Sequence, residues 1–160
     1  MESQDCLQPG SMLPNLTLPA TDGRMVRLSA YRHDRNLVLA FVGDGRQDDQ
    51  RMLLAQLAHH YPAIAQDDAE VLAVVQGPRQ RAEELKRQGR LPFVVLVDED
   101  QRMHGTFGAV DGTGQAASAV VIADRYNEIQ AIYSTAQGDI LPTVPEIVGR
   151  LNFIEIQCPE

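Results

Sequence analysis

The chain has 160 residues, of which 44% are hydrophobic and 22% charged, with a formal net charge of −8. This composition is typical of a globular protein and argues against a disordered or membrane-spanning chain. The negative charge would repel phosphate groups, so neither nucleic acid nor a membrane surface is an expected partner.

The chain carries two cysteines, Cys6 and Cys158, which are separated by most of the sequence. This spacing does not suit a disulfide framework and is consistent with a reducing compartment. The first residues show no basic stretch followed by an apolar one, so no secretory signal is predicted and we expect a cytoplasmic location.

An N-terminal β-hairpin is the first predicted element. Residues 16–18 and 25–28 have β-forming character and flank an Asp22-Gly23 turn signal. Five further strands are predicted at residues 37–42, 71–75, 93–97, 119–123 and 129–133. The first three of these are nearly continuous apolar runs, which is typical of parallel strands buried on both faces.

Helical segments separate the first three of these strands. Periodicity predicts one helix over residues 48–64, a second over 78–89 and a closing helix over 141–156. The link at 124–128 is too short for a crossover, so the last two strands should form a hairpin. The sequence therefore predicts an α/β protein with a mixed sheet, as a single domain over residues 1–160.

Several segments resemble the peroxiredoxins of the alkyl hydroperoxide reductase and thiol-specific antioxidant family. The resemblance is carried by residues 10–18, 22–23, 26–32 and 37–41, and segments 69–74, 91–93 and 121–124 follow in the expected order. It implies a thioredoxin-like fold: a central mixed β-sheet flanked by helices, an N-terminal β-hairpin and a peroxiredoxin-type insertion.

The same resemblance locates a site whose family residues are replaced. The family motif reads Pro-x-x-x-Thr-x-x-Cys, and counted without gaps from Phe41 its three fixed positions fall on Gly43, Gln47 and Gln50. The arginine expected just before the strand at residue 119 is replaced by Ser118. No cis-proline is available there, because Ala117 and Ser118 occupy its place.

Two functions follow as hypotheses. The first is a protein without ordinary thiol peroxidase activity that acts as a thioredoxin-fold binding or regulatory module for a protein partner. The second is an antioxidant thiol oxidoreductase that uses a non-standard cysteine, for which Cys158 and Cys6 are the candidates. In this hypothesis Cys158 would be supplied by the neighbouring subunit of a homodimer. Neither hypothesis calls for a cofactor.

Other candidate groups have simpler explanations. Asp44, Asp48 and Asp49 lack the spacing of a hard-cation site and are interpreted as helix-start residues. The pair His59 and His60 ends a helix, and His33 and His104 are expected at the surface. The glycine-containing stretch 103–115 is predicted to be a flexible insertion loop, and no metal site is predicted.

Overall fold

The computed structural model describes residues 7–157, and the predicted N-terminal hairpin is its first regular feature. Strands β1 (Thr17–Pro19) and β2 (Met25–Arg27) pair antiparallel, with Leu18 opposite Val26. A short 3-10 turn, Leu28–Tyr31, follows directly. The hairpin is confirmed, and its second strand ends one residue earlier than predicted.

The five predicted strands form one mixed sheet. They are β3 (Asn36–Val42), β4 (Ala69–Gln76), β5 (Val94–Asp98), β6 (Ser118–Ala123) and β7 (Ile129–Ser134). Their order is β5-β4-β3-β6-β7, with β3, β4 and β5 parallel. Strand β6 runs antiparallel to β3 and forms the predicted hairpin with β7.

Five α-helices accompany the sheet within residues 7–157. They are α1 (Asp48–His59), α2 (Tyr61–Gln66), α3 (Arg79–Gly89), α4 (Arg102–Thr106) and α5 (Val144–Gln157). In the part of the chain that is described, no helix is both long and apolar enough to cross a membrane.

Each face of the sheet has its own apolar core, because alternate side chains of a strand point to opposite faces. Val38 and Val42 of β3 pack on the face covered by α1, α2, α3 and α5. Leu37 and Phe41 pack on the other face with the N-terminal segment and the residues around α4. This two-sided burial explains why the central strands are almost entirely apolar.

The single helix predicted over residues 48–64 is wrong, because the structure divides it into α1 and α2. His60 stands between them with φ −99° and ψ 8°. Pro62 has no backbone N–H to continue a helical ladder, but it fits the first turn of a new helix. The helix therefore restarts where the proline would otherwise interrupt it.

The flexible loop predicted at 103–115 is wrong over its first residues, and so is the surface position of His104; residues 107–115 are irregular. The segment begins within α4, and Met103, His104 and Phe107 are all buried. The His104 side chain has no exposed surface and packs edge-on against Phe41, with 5.1 Å between ring centroids.

Asp98, the last residue of β5, holds this segment against the sheet. One of its carboxylate oxygens accepts the Met103 N–H at 3.0 Å, and the other accepts the His104 N–H at 2.8 Å. The His104 ring Nδ1 lies 2.8 Å from the same second oxygen. Burial opposes ionisation of Asp98, but these hydrogen bonds from His104 and Met103 hold its pKa below the ordinary value of 3.8.

Replacing Asp98 should destabilise the whole domain. We expect Asp98→Asn to lower the free energy of unfolding by about 2 to 4 kcal/mol, because an amide leaves one buried donor without an acceptor. The matched control is Asp100→Asn, a change at an exposed side chain two residues later. Urea denaturation should separate the two variants, and equal stabilities would contradict this role for Asp98.

The Asp98 carboxylate should also make the free energy of unfolding depend on pH. Its pKa is lower in the folded chain than in the unfolded one, so its contribution is complete above about pH 5 and is lost as pH falls through the folded value. The stability difference between wild type and Asp98→Asn should therefore shrink below about pH 4. Denaturation curves measured from pH 7 to pH 3 test this, and a constant difference would argue against it.

Candidate functional site

The register of the sheet brings together the residues singled out in the sequence. Val42 of β3 pairs with Ser118 of β6, so the loop after β3 faces the segment before β6. A cavity of about 170 Å³ lies between them. It is lined by Gln47, Asp49, Gln50, Asp111, Gln115, Ala116, Ala117, Ser118, Thr135 and Ala136.

Gln50 is buried at this point, with only 4% of its surface exposed. It forms a reciprocal capping box with Gln47, the residue that precedes α1. The Gln47 backbone N–H donates to Gln50 Oε1 at 3.2 Å, and the Gln47 side chain accepts the Gln50 backbone N–H. Gln47 and Gln50 thus serve as the start of a helix, which satisfies amide groups that would otherwise lack partners.

Gly43 occupies a position that permits no side chain. Its φ is +55°, and a Cβ atom there would lie 2.8 Å from both the Ala116 carbonyl oxygen and Gln50 Nε2. Its backbone N–H donates to His104 Nε2 at 3.1 Å. Since Nε2 accepts this bond, the ring is neutral and carries its hydrogen on Nδ1, facing Asp98. A proline at residue 43 would require φ near −65° and would remove the N–H.

Two arginines fix the rest of this loop through its carbonyl groups. Arg81 donates to Asp44 O at 2.7 Å and to Gly45 O at 3.0 Å. Arg51 donates to Arg46 O at 2.5 Å and to Gly45 O at 3.3 Å. Neither guanidinium group lines the cavity, so their positive charge stabilises the backbone of the loop instead of a group inside the site.

The aspartates of this region pair locally and do not converge. Asp44 accepts the Arg46 N–H at 3.0 Å and lies 3.5 Å from its guanidinium group, and Asp48 forms an ion pair with Arg51. Asp49 faces the cavity. Within residues 7–157 no group of three Asp, Glu, His or Cys side chains is placed to hold a metal ion.

The cavity contains hydroxyl groups but no activated nucleophile among the described residues. The Thr135 hydroxyl donates to Ser118 O at 3.2 Å. The nearby His104 ring already uses both nitrogens, on Asp98 and on Gly43, and is not available as a base. The described side chains of this cavity therefore offer hydrogen-bonding groups.

The remaining predicted candidates lie elsewhere. Cys6 and Cys158 fall outside the described residues. His33 is exposed, as predicted, and contacts the Tyr126 ring edge-on. His59 and His60 stand at the end of α1, with their ring centroids 4.8 Å apart.

Further residues that the sequence analysis did not assign to the site contribute to it. His104 and Arg81 hold its loop, and Asp111 and Thr135 line its wall. For His104, Asp98 at the end of a predicted strand six residues earlier was a usable signal. For Arg81, whose partners are backbone carbonyls, the sequence gives no signal.

Comparison with known proteins assigns this architecture to a family. Residues 9–132 match the AhpC/TSA family. The chloroplastic peroxiredoxin Q of rice, Oryza sativa subsp. japonica, is 27% identical over 128 residues, which make up 78% of this chain. This chain spans 58% of the length of that relative.

Solved structures show the same fold. The AhpC crystal structure from Enterococcus faecalis superposes with a TM-score of 0.83 at 16% identity, covering 96% of this chain and 95% of that one. The Mycobacterium tuberculosis AhpC gives 0.79 at 21% identity, covering 97% and 96%. The predicted thioredoxin-like α/β fold is thereby confirmed. Since the family match extends over most of its length, this chain belongs to the AhpC/TSA family.

Proposed function

We propose that this chain is a peroxiredoxin-family protein that has lost the ordinary thiol peroxidase reaction and acts as a thioredoxin-fold binding or regulatory module. The observation that carries the proposal is Gln50, which stands at the position expected for the family's reactive cysteine and is used as a helix-capping residue. The sequence has no cysteine between Cys6 and Cys158, so no shift of alignment supplies a thiol to this loop.

The electrostatics of the cavity support the same proposal. Residue 50 lies in the first turn of α1, and a reactive thiolate there would also need nearby positive charge to lower its pKa strongly. Here Asp49 and Asp111 line the cavity, while Arg51 and Arg81 point to loop carbonyls. Ser118, at the position expected for an arginine, adds no charge. The residues that would stabilise a thiolate are replaced together with the thiol.

Family membership favours a second candidate function. Redox chemistry in this family suggests a thiol oxidoreductase that works through Cys158, supplied by the same chain or by a second copy. We also propose that the chain forms a single domain over residues 1–160, is located in the cytoplasm and binds a protein partner or a second copy of itself.

The two functions differ in one measurable property, the reactivity of Cys158 towards peroxide.

Trapping of sulfenic acid distinguishes the two functions. Wild type, Cys6→Ser and Cys158→Ser would be treated with low hydrogen peroxide and a dimedone-type trap, and the adducts located by mass spectrometry. We expect neither cysteine to be labelled faster than a small free thiol such as N-acetylcysteine, because labelling is selective for acidic thiols. Rapid, stoichiometric labelling of Cys158 would overturn the non-catalytic function and establish the second one.

Restoring the missing thiol alone should not restore peroxidase chemistry. We expect the thiol of Gln50→Cys to react with hydrogen peroxide no faster than a free thiol, because Asp49 and Asp111 on the cavity wall counteract the helix N-terminus and no cation lines the cavity. Gln56→Cys, at an exposed position later in α1, provides the matched control. Stopped-flow peroxide consumption measures both variants. A much faster reaction at residue 50 would show that the site still supports the family chemistry.

A further inference from the structure

We propose that the cavity beside Gln50 binds the primary carboxamide group of a neutral ligand. This inference rests on the proposed function, since it assigns a ligand class to the site that has lost the family's thiol. It is carried by three polar groups beside the cavity that have no hydrogen-bond partner among the described residues: side-chain groups of the buried Gln50 and Ser118, and the carbonyl of the half-buried Ala116.

The first of these groups is the side-chain amide of Gln50. Its oxygen accepts the Gln47 backbone N–H, and only an oxygen can accept that bond, so the orientation of the amide is fixed. Nε2 therefore lies on the other side, next to Gly43. Nε2 donates no hydrogen bond to any residue from 7 to 157, although only 4% of the surface of Gln50 is exposed. Nε2 itself is not fully buried but is open to the cavity, so a ligand acceptor can take the place of water there.

The second group is an acceptor beside this donor. The Ala116 carbonyl oxygen and Gln50 Nε2 are each 2.8 Å from the point that a Cβ on Gly43 would occupy. Within the described chain Ala116 O accepts no backbone N–H, because the local bridge to residues 109–111 uses the Ala109 and Gln115 carbonyls. Gln50 and Ala116 both line the cavity, so this donor and acceptor belong to one site.

The third group is the hydroxyl of Ser118, whose residue is 3% exposed. Thr135 donates to the Ser118 carbonyl oxygen, and the Ser118 Oγ itself has no partner among residues 7–157. A hydroxyl can both donate and accept. Together the three groups match a primary carboxamide, which offers one C=O to donors and one NH₂ to acceptors.

Charge and size narrow the ligand class. Asp49 and Asp111 line the cavity, and no Lys, Arg or His is among its lining residues, so a carboxylate would be repelled. An ammonium group would leave the Gln50 N–H unsatisfied. The volume of about 170 Å³ is smaller than the roughly 300 to 1,000 Å³ of pockets that hold a whole small molecule. The site therefore accommodates the end group of a ligand and not a whole cofactor.

Three probes of similar size and different charge test the proposal. Acetamide, acetate and methylammonium would each be titrated into the full-length chain and followed by ¹H–¹⁵N NMR. We expect acetamide to shift the Gln50 side-chain amide and the Ser118 backbone amide in a saturable manner, with acetate and methylammonium at least about tenfold weaker. No saturable shift with acetamide, or tighter binding of a charged probe, would overturn the proposal.

Gln50→Glu is the decisive variant, because a glutamate at this helix position keeps the oxygen that accepts the Gln47 N–H and removes the N–H donor. It should weaken acetamide binding about tenfold or more. Gln56→Glu makes the same chemical change on the exposed face of α1 and should bind acetamide like wild type. Equal binding by both variants would overturn the proposal. If Gln50→Glu does not fold, Ser118→Ala provides the test, with an expected loss in the same direction.

Capped tripeptides identify the source of the carboxamide. Tighter binding of Ala-Gln-Ala than of acetamide, with no binding of Ala-Glu-Ala, would indicate a glutamine or asparagine side chain of a protein partner. Acetamide binding without peptide binding would indicate a small-molecule amide. Peroxide trapping at Cys158 is measured separately, so failure of the proposed function and failure of carboxamide binding give different results.

Discussion

One buried chain of hydrogen bonds, from Asp98 through His104 to the Gly43 N–H, determines the shape of the loop at the site. It joins the end of β5, the first turn of α4 and the end of β3. Asp98 and His104 have no exposed side-chain surface, so water cannot replace either bond at low cost. Because each partner has a fixed role as donor or acceptor, the chain fixes both the histidine tautomer and the position of Gly43.

The geometry of the site follows from this constraint. With its N–H held by His104, Gly43 adopts a left-handed conformation that brings Ala116 O and Gln50 Nε2 close to its Cα. The carbonyls that follow are then held from outside by Arg81 and Arg51. The loop is therefore fixed at its N–H groups on one side and at its carbonyl groups on the other. A cavity with such a wall is suited to selective hydrogen bonding, since its polar groups are held in place before a ligand arrives.

Sequence patterns predicted what local residues decide and missed what distant partners decide. The strands were predicted because burial on both faces demands apolar runs, and Gly43, Gln47, Gln50 and Ser118 were expected together from family resemblance. The pairing of β3 with β6 does bring that set together. The burial of His104 depends on Asp98 and Phe41, which no periodicity within α4 reveals. The break at His60 has a local cause instead, because Pro62 cannot continue the hydrogen bonding of α1 and lies in the first turn of α2.

The family fold and the local chemistry of this chain have different determinants. Superposition at 16% to 21% identity shows that the backbone is retained, whereas function depends on particular side chains at the site. The motif Pro-x-x-x-Thr-x-x-Cys in this register would place proline at residue 43, which conflicts with the positive φ and with the hydrogen bond to His104. It would also require removal of the Gln50 cap. The conformation of Gly43, its hydrogen bond to His104 and the Gln50 cap stabilise one another, so a single substitution that disrupts one of them should lower the stability of the protein. The altered loop is thus a self-consistent structure in its own right.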